Sequence, residues 1–497
     1  MKKSKNAKKG KRTGPREPPA RAGHIMTTFS NDTVSMMGGY STAGPLCDAW
    51  IYSDTKKWSQ LSASKNSAGP FPRMMADGCY VNGDLYVVAG MKQENDDILI
   101  LNDVWKLHKS NDQYSWVCLH EESPIPERHS HVVVAIPGGR MIVHGGECID
   151  FLNDCWLFDS LHNSFLQIPT PADASPCPRS SHSAAYSAPY IVLFGGMTST
   201  ASAMGGAEEP SGLPKDTTPV YLNDLWLLDT SRTDVSWTMV SLRGLAPSPR
   251  DLPAMATVEG ATGRSGDVLI FGGYGLYTTE DDDEEEETGA DGQGGALSLK
   301  PSGGEPDEVM AGLSLEDVAV NMTASTSTPP TTASSSGGDM TVAADEGECS
   351  VPLELQALRN ALPREEQGGV EPSVATTVKG ACKEALGHDT DSDESVAEGY
   401  LNDTWVVNVH SLECQEVDLR CGESPAGNGK NQGRTLAQLC SSGLRGAKIV
   451  VLNTDVSSHE GVAAGAEEPL RQTGRLMLSG GFDGENFGGI IDNLHVI

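Results

Sequence analysis

The chain has 497 residues, with 68 Asp and Glu against 36 Lys and Arg and a formal net charge of −32. Its 55 Gly and 29 Pro suit a turn-rich β architecture better than a helical one, and no apolar run approaches the roughly 18 residues that would span a bilayer, so no membrane partner is expected. The N-terminus lacks an apolar signal region, and the 11 Cys, an odd number without CxxC pairs, fit reduced thiols in an intracellular protein better than a disulfide framework or a zinc site.

Residues 1–18 carry Lys2, Lys3, Lys5, Lys8, Lys9, Lys11, Arg12 and Arg16, with no acid before Glu17. A block of like charge cannot pack, so this stretch reads as a disordered basic arm. Lys2, Lys3, Lys8, Lys9, Lys11 and Arg12 form a nuclear-import candidate or a weak RNA contact; a solubilising tail is the plainer alternative. The expected location is the nucleus or the cytoplasm.

A repeating unit follows, clearest from Arg128 to Ile168. It runs Arg128-His129-Ser130-His131, the apolar run Val132 to Ile136, a Gly138-Gly139 turn, and Met141 to His144 into Gly145-Gly146. Leu152-Asn153-Asp154 then leads into Cys155-Trp156-Leu157-Phe158 and, after a turn, Phe165 to Ile168. Four short apolar runs separated by turn signals predict four antiparallel strands joined as a meander. The arginine recurs at Arg21, Arg73, Arg128, Arg179, Arg250 and Arg434, and the glycine pair at 38/39, 145/146, 195/196, 272/273 and 480/481, with Ala89-Gly90 in the second unit. Trp50, Trp105, Trp156, Trp226 and Trp405 mark the third strand. A period of about 50 residues with four strands per unit points to propeller blades.

Blades one to three are compact, with outer-strand aromatics at Trp58, Trp116 and Phe165, and blade four swells between Gly196 and Tyr221. Blade five reaches Ile270 to Tyr274 and resumes only at Tyr400-Leu401-Asn402-Asp403-Thr404-Trp405. Between them, residues 276–398 hold 28 acids against 5 bases, beginning with the unbroken acidic run Glu280 to Glu287. Such a segment cannot bury enough apolar surface to offset its ordering entropy and reads as a disordered acidic insertion. Within it, Thr390 and Ser395 each have an acid three residues on, the pattern of an acid-directed kinase site. In blade six, Leu494 is read at the tryptophan place and no fourth strand follows, so the last blade is expected to be incomplete or the sequence truncated.

These residues resemble the kelch repeat, over nearly everything outside 1–18 and the insertion. The resemblance implies an all-β fold, a six-bladed kelch-type β-propeller of four-stranded antiparallel blades. Residues 19–275 would supply blades one to four and half of five, and 399–497 the remainder. The Lys-rich start and late acidic insertion also look broadly like the kelch domain-containing protein 4 group. Kelch propellers serve mostly as binding scaffolds, and the repeated Gly and Trp have structural reasons of their own: close approach of blades, and an apolar plate between them.

Nothing in the sequence supports chemistry. His24, His131 and His182 each lie three residues after a repeat arginine, and the nearby His129, His131 and His144 lack a carboxylate or Cys at matched spacing for a metal. The tyrosine–cysteine set of kelch-like copper oxidases and the Glu-x3-Asp-x3-His pattern of iron-dependent specifier proteins cannot be placed. No cofactor is therefore expected, and the reading is a non-enzymatic protein-binding scaffold or adaptor, with a propeller enzyme as the alternative. With the +8 of residues 1–16 and the insertion's −23 set aside, the chain's −32 leaves −17, which disfavours nucleic acid except through the arm. The loops joining second and third strands share one face, where the enlarged loops 197–220 and 276–398 both emerge. That face, with Arg179, Arg250 and Arg434 beside it, is the expected site for a protein partner, a basic one included.

Overall fold

The computed structural model describes residues 17–30, 33–53, 57–61, 69–95, 97–110, 113–171, 174–203, 218–232, 235–259, 265–279, 395–421, 434–440, 442–452 and 475–496. The basic block 1–16 and the acidic core 280–394 lie outside these residues. One compact unit takes in 1–231, 236–281 and 372–497; the other segments, 232–235 and 282–371, are almost wholly undescribed.

Six sheets form the blades of a propeller. Their innermost strands are Ile25–Ser30, Asp77–Val81, Val132–Ile136, Ser183–Ser187, Ala254–Glu259 and Arg445–Leu452. Each touches the next, and the last touches the first, which closes the ring. Blades one to four each run outward through four antiparallel strands in chain order, with the short hairpin Tyr40–Ser41/Gly44–Pro45 set between the second and third strands of blade one. Second strands read as continuous apolar runs because neighbouring blades cover both of their faces: Met141, Ile142 and Val143 are 0–2% exposed. Packed cores lie between successive blades, such as Tyr86, Val88, Val143 and Phe158 between two and three. Met26, Trp50, Val450 and Met477 do the same across the closure of six onto one.

Blade five is split in sequence and whole in space. Ser265–Thr279 pairs with Ser395–Asn408 out to Thr279↔Ser395. The paired stem therefore extends four residue pairs into the segment that composition assigned to the insertion, because hairpin register and not charge decides where pairing stops. Arg243–Gly244 adds a short parallel strand outside Glu413–Glu416.

The expected gap in blade six is filled. Leu419–Cys421 pairs antiparallel with Ile490–Val496 and serves as its outer strand. It comes from the chain before the blade's first strand, an order that a forward reading of the repeat misses. The structure also relocates the blade's markers. Leu444, not Arg434, occupies the arginine place, since Leu444 N–H donates to Leu401 O and Gly273 N–H donates to Leu444 O at 2.9 Å, as Gly146 N–H does to Arg179 O. Leu478, two residues before the glycine pair, faces Ile491, so Ile491 and not Leu494 stands for the tryptophan. Gly489, whose carbonyl accepts from Gly480 N–H, stands for the aspartate.

Around the axis, six residues one from each blade form a closed ring of backbone hydrogen bonds. Met75 N–H donates to Gly23 O, Ser130 to Met75, Ser181 to Ser130, Leu252 to Ser181, Gly446 to Leu252 and Gly23 to Gly446, at 2.6–3.4 Å. All six have φ between +44° and +71°. Only two are glycine, so Met75, Ser130, Ser181 and Leu252 hold a conformation that costs on the order of 1 kcal/mol or more each and persists because the ring over-determines it.

Candidate partner face

Each of the first five blades contains the same buried clamp. The loop entering the blade delivers the arginine, and the third strand delivers Asp and Trp two residues apart, on one side of that strand. In blade four, Arg179 makes a two-pronged ion pair with Asp224, both contacts 2.7 Å, while Trp226 Nε1 donates to the same carboxylate at 2.6 Å. Arg179 also donates to Gly195 O at 3.0 Å and Cys177 O at 3.2 Å. Arg21–Asp48–Trp50, Arg73–Asp103–Trp105, Arg128–Asp154–Trp156 and Arg250–Asp403–Trp405 repeat it. Burial pushes the Asp154 carboxyl up, but the Arg128 hydrogen bond and charge, with Trp156 N–H, more than offset this and hold it below the ordinary aspartate range.

This geometry corrects the site expected from sequence. Arg179 and Arg250 are 0% exposed and bonded to Asp224 and Asp403, so neither guanidinium is presented to a partner. Arg434 is exposed, but it lies outside the repeat and donates to Gln438 O at 3.1 Å. The histidines are interior too: His24, His131 and His182 sit where a Cβ added to Gly39, Gly146 or Gly196 would meet their own Cβ at 2.8 Å. His144 Nδ1 lies 3.1 Å from His182 Nε2, and His129 Nδ1 lies 3.0 Å from Ser130 Oγ. Among the described residues, no cluster of His, Cys, Asp and Glu has the geometry to hold a metal ion. Thr390 and the six basic residues of the import candidate lie outside the described residues; Ser395 opens the third strand of blade five, opposite Thr279.

What the face of the second-to-third-strand loops does present is a row of aromatic rings. Tyr221, Tyr274, Tyr400, Phe482, Phe487 and Tyr40 follow one another from blade four through five and six to blade one, with centroid spacings of 6.0, 5.0, 6.1, 5.2 and 6.1 Å. Tyr274 and Tyr400 are cross-strand partners just beyond the glycine pair, where the hairpin leaves the ring. The tyrosines and Phe487 are half-buried. Arg445 lies with its guanidinium carbon 5.3 Å from the Tyr274 centroid and its Nη2 2.5 Å from buried Asp251. Burial, with Glu398 and Asp251 nearby, raises the Tyr221 and Tyr274 phenols, and burial also raises Tyr400. The row escaped the sequence reading although a signal was there: an aromatic follows the glycine pair at Tyr40, Tyr274 and Phe482, where blades two to four have Met91, Glu147 and Met197. Another precedes Leu-Asn-Asp at Tyr221 and Tyr400, although Phe151 does so too in blade three and lies outside the row.

Comparison with known proteins agrees with the fold. The model of the KLHDC2/KLHL20/DRC7 Kelch-repeats domain matches residues 3–146 and 119–284. The chain is 28% identical to Host cell factor of Drosophila melanogaster over 221 residues, 42% of this chain and 13% of that one. It is 27% identical to an F-box/kelch-repeat protein of Arabidopsis thaliana over 279 residues, 53% and 52% of the two chains. It is 26% identical to Kelch domain-containing protein 3 of Rattus norvegicus over 270 residues, 52% and 62% of the two chains. The chain thus spans less than two thirds of the length of each of these relatives. Among the described residues no helix is long and apolar enough to cross a membrane. With the family model covering more than half of the chain and six blades closed into a ring, this protein belongs to the kelch-repeat family.

Proposed function

We propose that this protein is a non-enzymatic protein-interaction scaffold or adaptor that binds its partner on the face where the second-to-third-strand loops emerge. Kelch-repeat proteins are commonly interaction adaptors, and the observation that carries the reading is the aromatic row, which lies on the same face as the stems of both enlarged loops. The repeated arginines hold blades together and leave recognition to these rings. The acidic insertion, joined to the blade-five stem, supplies a negative field that steers a basic partner toward the face. Thr390 and Ser395 are its candidate phosphate acceptors, each phosphate adding further negative charge.

Replacing 280–394 by a two-residue Asn-Gly turn keeps the stem pairing and tests the steering. Affinity purification read by mass spectrometry, with partner affinity followed across a salt series, is expected to show weaker capture and a shallower salt dependence for the shortened chain. Unaltered affinity and salt slope for every partner of the intact chain would count against the reading. The basic arm is proposed to direct the protein to the nucleus. A fluorescent fusion lacking residues 2–16 is expected to shift to the cytoplasm, and an unchanged distribution would end that part of the proposal.

A further inference from the structure

We infer that the row Tyr221, Tyr274, Tyr400, Phe482, Phe487 and Tyr40 is a docking track for an extended, cationic segment of a partner protein, whose Lys or Arg side chains lie against the rings. The inference deepens the reading of this face as the partner face and rests on it.

Three observations carry it. The rings run without a gap across four blades, at spacings of 5.0–6.1 Å, and all but Phe482 remain partly exposed. Contiguous, partly exposed aromatic surface of that kind marks an interaction site. A cation already uses the row in the proposed manner, Arg445 over Tyr274 at 5.3 Å, which shows that a ring face there accepts a guanidinium.

The third observation is charge. Arg445, the cation within the row, is spent on Asp251. Exposed Glu398 and Glu485, and Asp483 beside Tyr400, make no salt bridge among the described residues. Beyond burial, Glu398 raises the Tyr221 and Tyr274 phenols and Asp483 the Tyr400 phenol, while Arg445 opposes them at all three rings. With Arg445 paired to Asp251, these acids are the carboxylates along the row that no cation answers among the described residues. An acidic segment would be repelled, and a purely apolar one would leave these carboxylates unanswered. An extended chain advances roughly 3.3 Å per residue, so about eight residues follow the row from end to end.

The test uses the full chain and an octapeptide alternating Arg with Ser, labelled with fluorescein and followed by anisotropy, beside versions carrying Gln or Glu in place of Arg. The Arg peptide is expected to bind at least tenfold tighter than the Gln peptide, and the Glu peptide not at all. Tyr274→Leu with Tyr400→Leu keeps apolar bulk but removes two ring faces and is expected to weaken the Arg peptide about tenfold, while the paired Tyr→Phe changes stay within threefold. Should the leucine pair melt below the assay temperature, Glu398→Gln with Glu485→Gln, both exposed, is expected to weaken binding at least threefold and flatten its salt dependence. Arg-peptide binding that survives the leucine pair in a folded protein, or the glutamine pair where that pair is used, belongs to acidic chain elsewhere and overturns the inference. Tighter binding of the Gln or Glu peptide overturns it as well. Cellular partners indifferent to the rings would remove the track alone, whereas partners that never required this face would remove the reading beneath it.

Discussion

Arg128→Ala is expected to destabilise the propeller by about 3–5 kcal/mol, read as a shift in the chemical denaturation midpoint. The substitution deletes the two-pronged contact with Asp154 at 2.8 and 2.7 Å and the bond to Gly145 O at 2.9 Å. It leaves the mostly buried Asp154 carboxylate with Trp156 Nε1, at 2.6 Å, as its remaining side-chain donor among the described residues. Most of the cost is that uncompensated charge and not the lost attraction, because desolvating an ion is expensive and a buried pair roughly breaks even against apolar residues. Blade six is the natural control. There the arginine, aspartate and tryptophan places hold Leu444, Gly489 and Ile491, and both charges are gone together. Arg128→Leu combined with Asp154→Gly and Trp156→Ile is therefore expected to cost less than the sum of its single changes, by at least about 1 kcal/mol of coupling. A cost under about 1 kcal/mol for Arg128→Ala alone would show that the clamp does not hold the blade.

Acid is expected to unfold this protein well above the range in which carboxylates titrate. Burial lowers the imidazoles of His24, His131 and His182 well below the ordinary value, His129 to about 4 and His144 to about 3. A folded chain that keeps these rings neutral competes with an unfolded chain that protonates them near pH 6.5, so the stability they confer is complete above that pH and declines as pH falls below it. Each ring held neutral loses about 1.4 kcal/mol by pH 5.5, and five of them approach the whole stability of an ordinary domain. Glu147 and Asp251, raised by burial, work in the opposite sense, with stability present at low pH and lost as pH rises through their folded values. Asp154 and Asp224, held low by their arginines, add their loss only below the ordinary carboxylate range. Urea midpoints measured from pH 8 to pH 5 should fall with a slope of several protons, and His24→Leu should remove about one of them. A flat profile over that interval would mean that the rings find partners for their second nitrogens in solution.

The residues that carried the fold in sequence were those whose chemistry is the same in every blade. A glycine pair at positive φ, an arginine ahead of the inner strand and Asp-x-Trp in the third strand each satisfy a local requirement: a backbone turn too tight for a Cβ, a carbonyl to be capped, a carboxylate to be shared. Gly145 and Gly146 at +60° and +101° illustrate the first. Such requirements recur at a fixed spacing, so period alone identified the architecture and the split of blade five. The same regularity misled where a blade departs from it. Arg434 has the right residue type in nearly the right place, yet whether it is the sixth repeat arginine depends on which residue's N–H meets Leu401 O, and that residue is Leu444.

By itself, then, the sequence determined the number of blades, the inner and third strands of blades one to five and the recurrence of Arg, Asp and Trp within them, because each is dictated by contacts within one unit or its immediate neighbour. Only the tertiary structure decided the rest. Leu419–Cys421 became the outer strand of blade six because the edge of Ile490–Val496 was open to it, a pairing over some seventy residues that no local pattern encodes. Arg179 and Arg250 turned inward because a third-strand carboxylate, 45 and 153 residues away in sequence, awaited each of them. The six aromatics became one row because closing the ring set Tyr40 of blade one beside Phe487 of blade six, so that residues from opposite ends of the chain share a single surface.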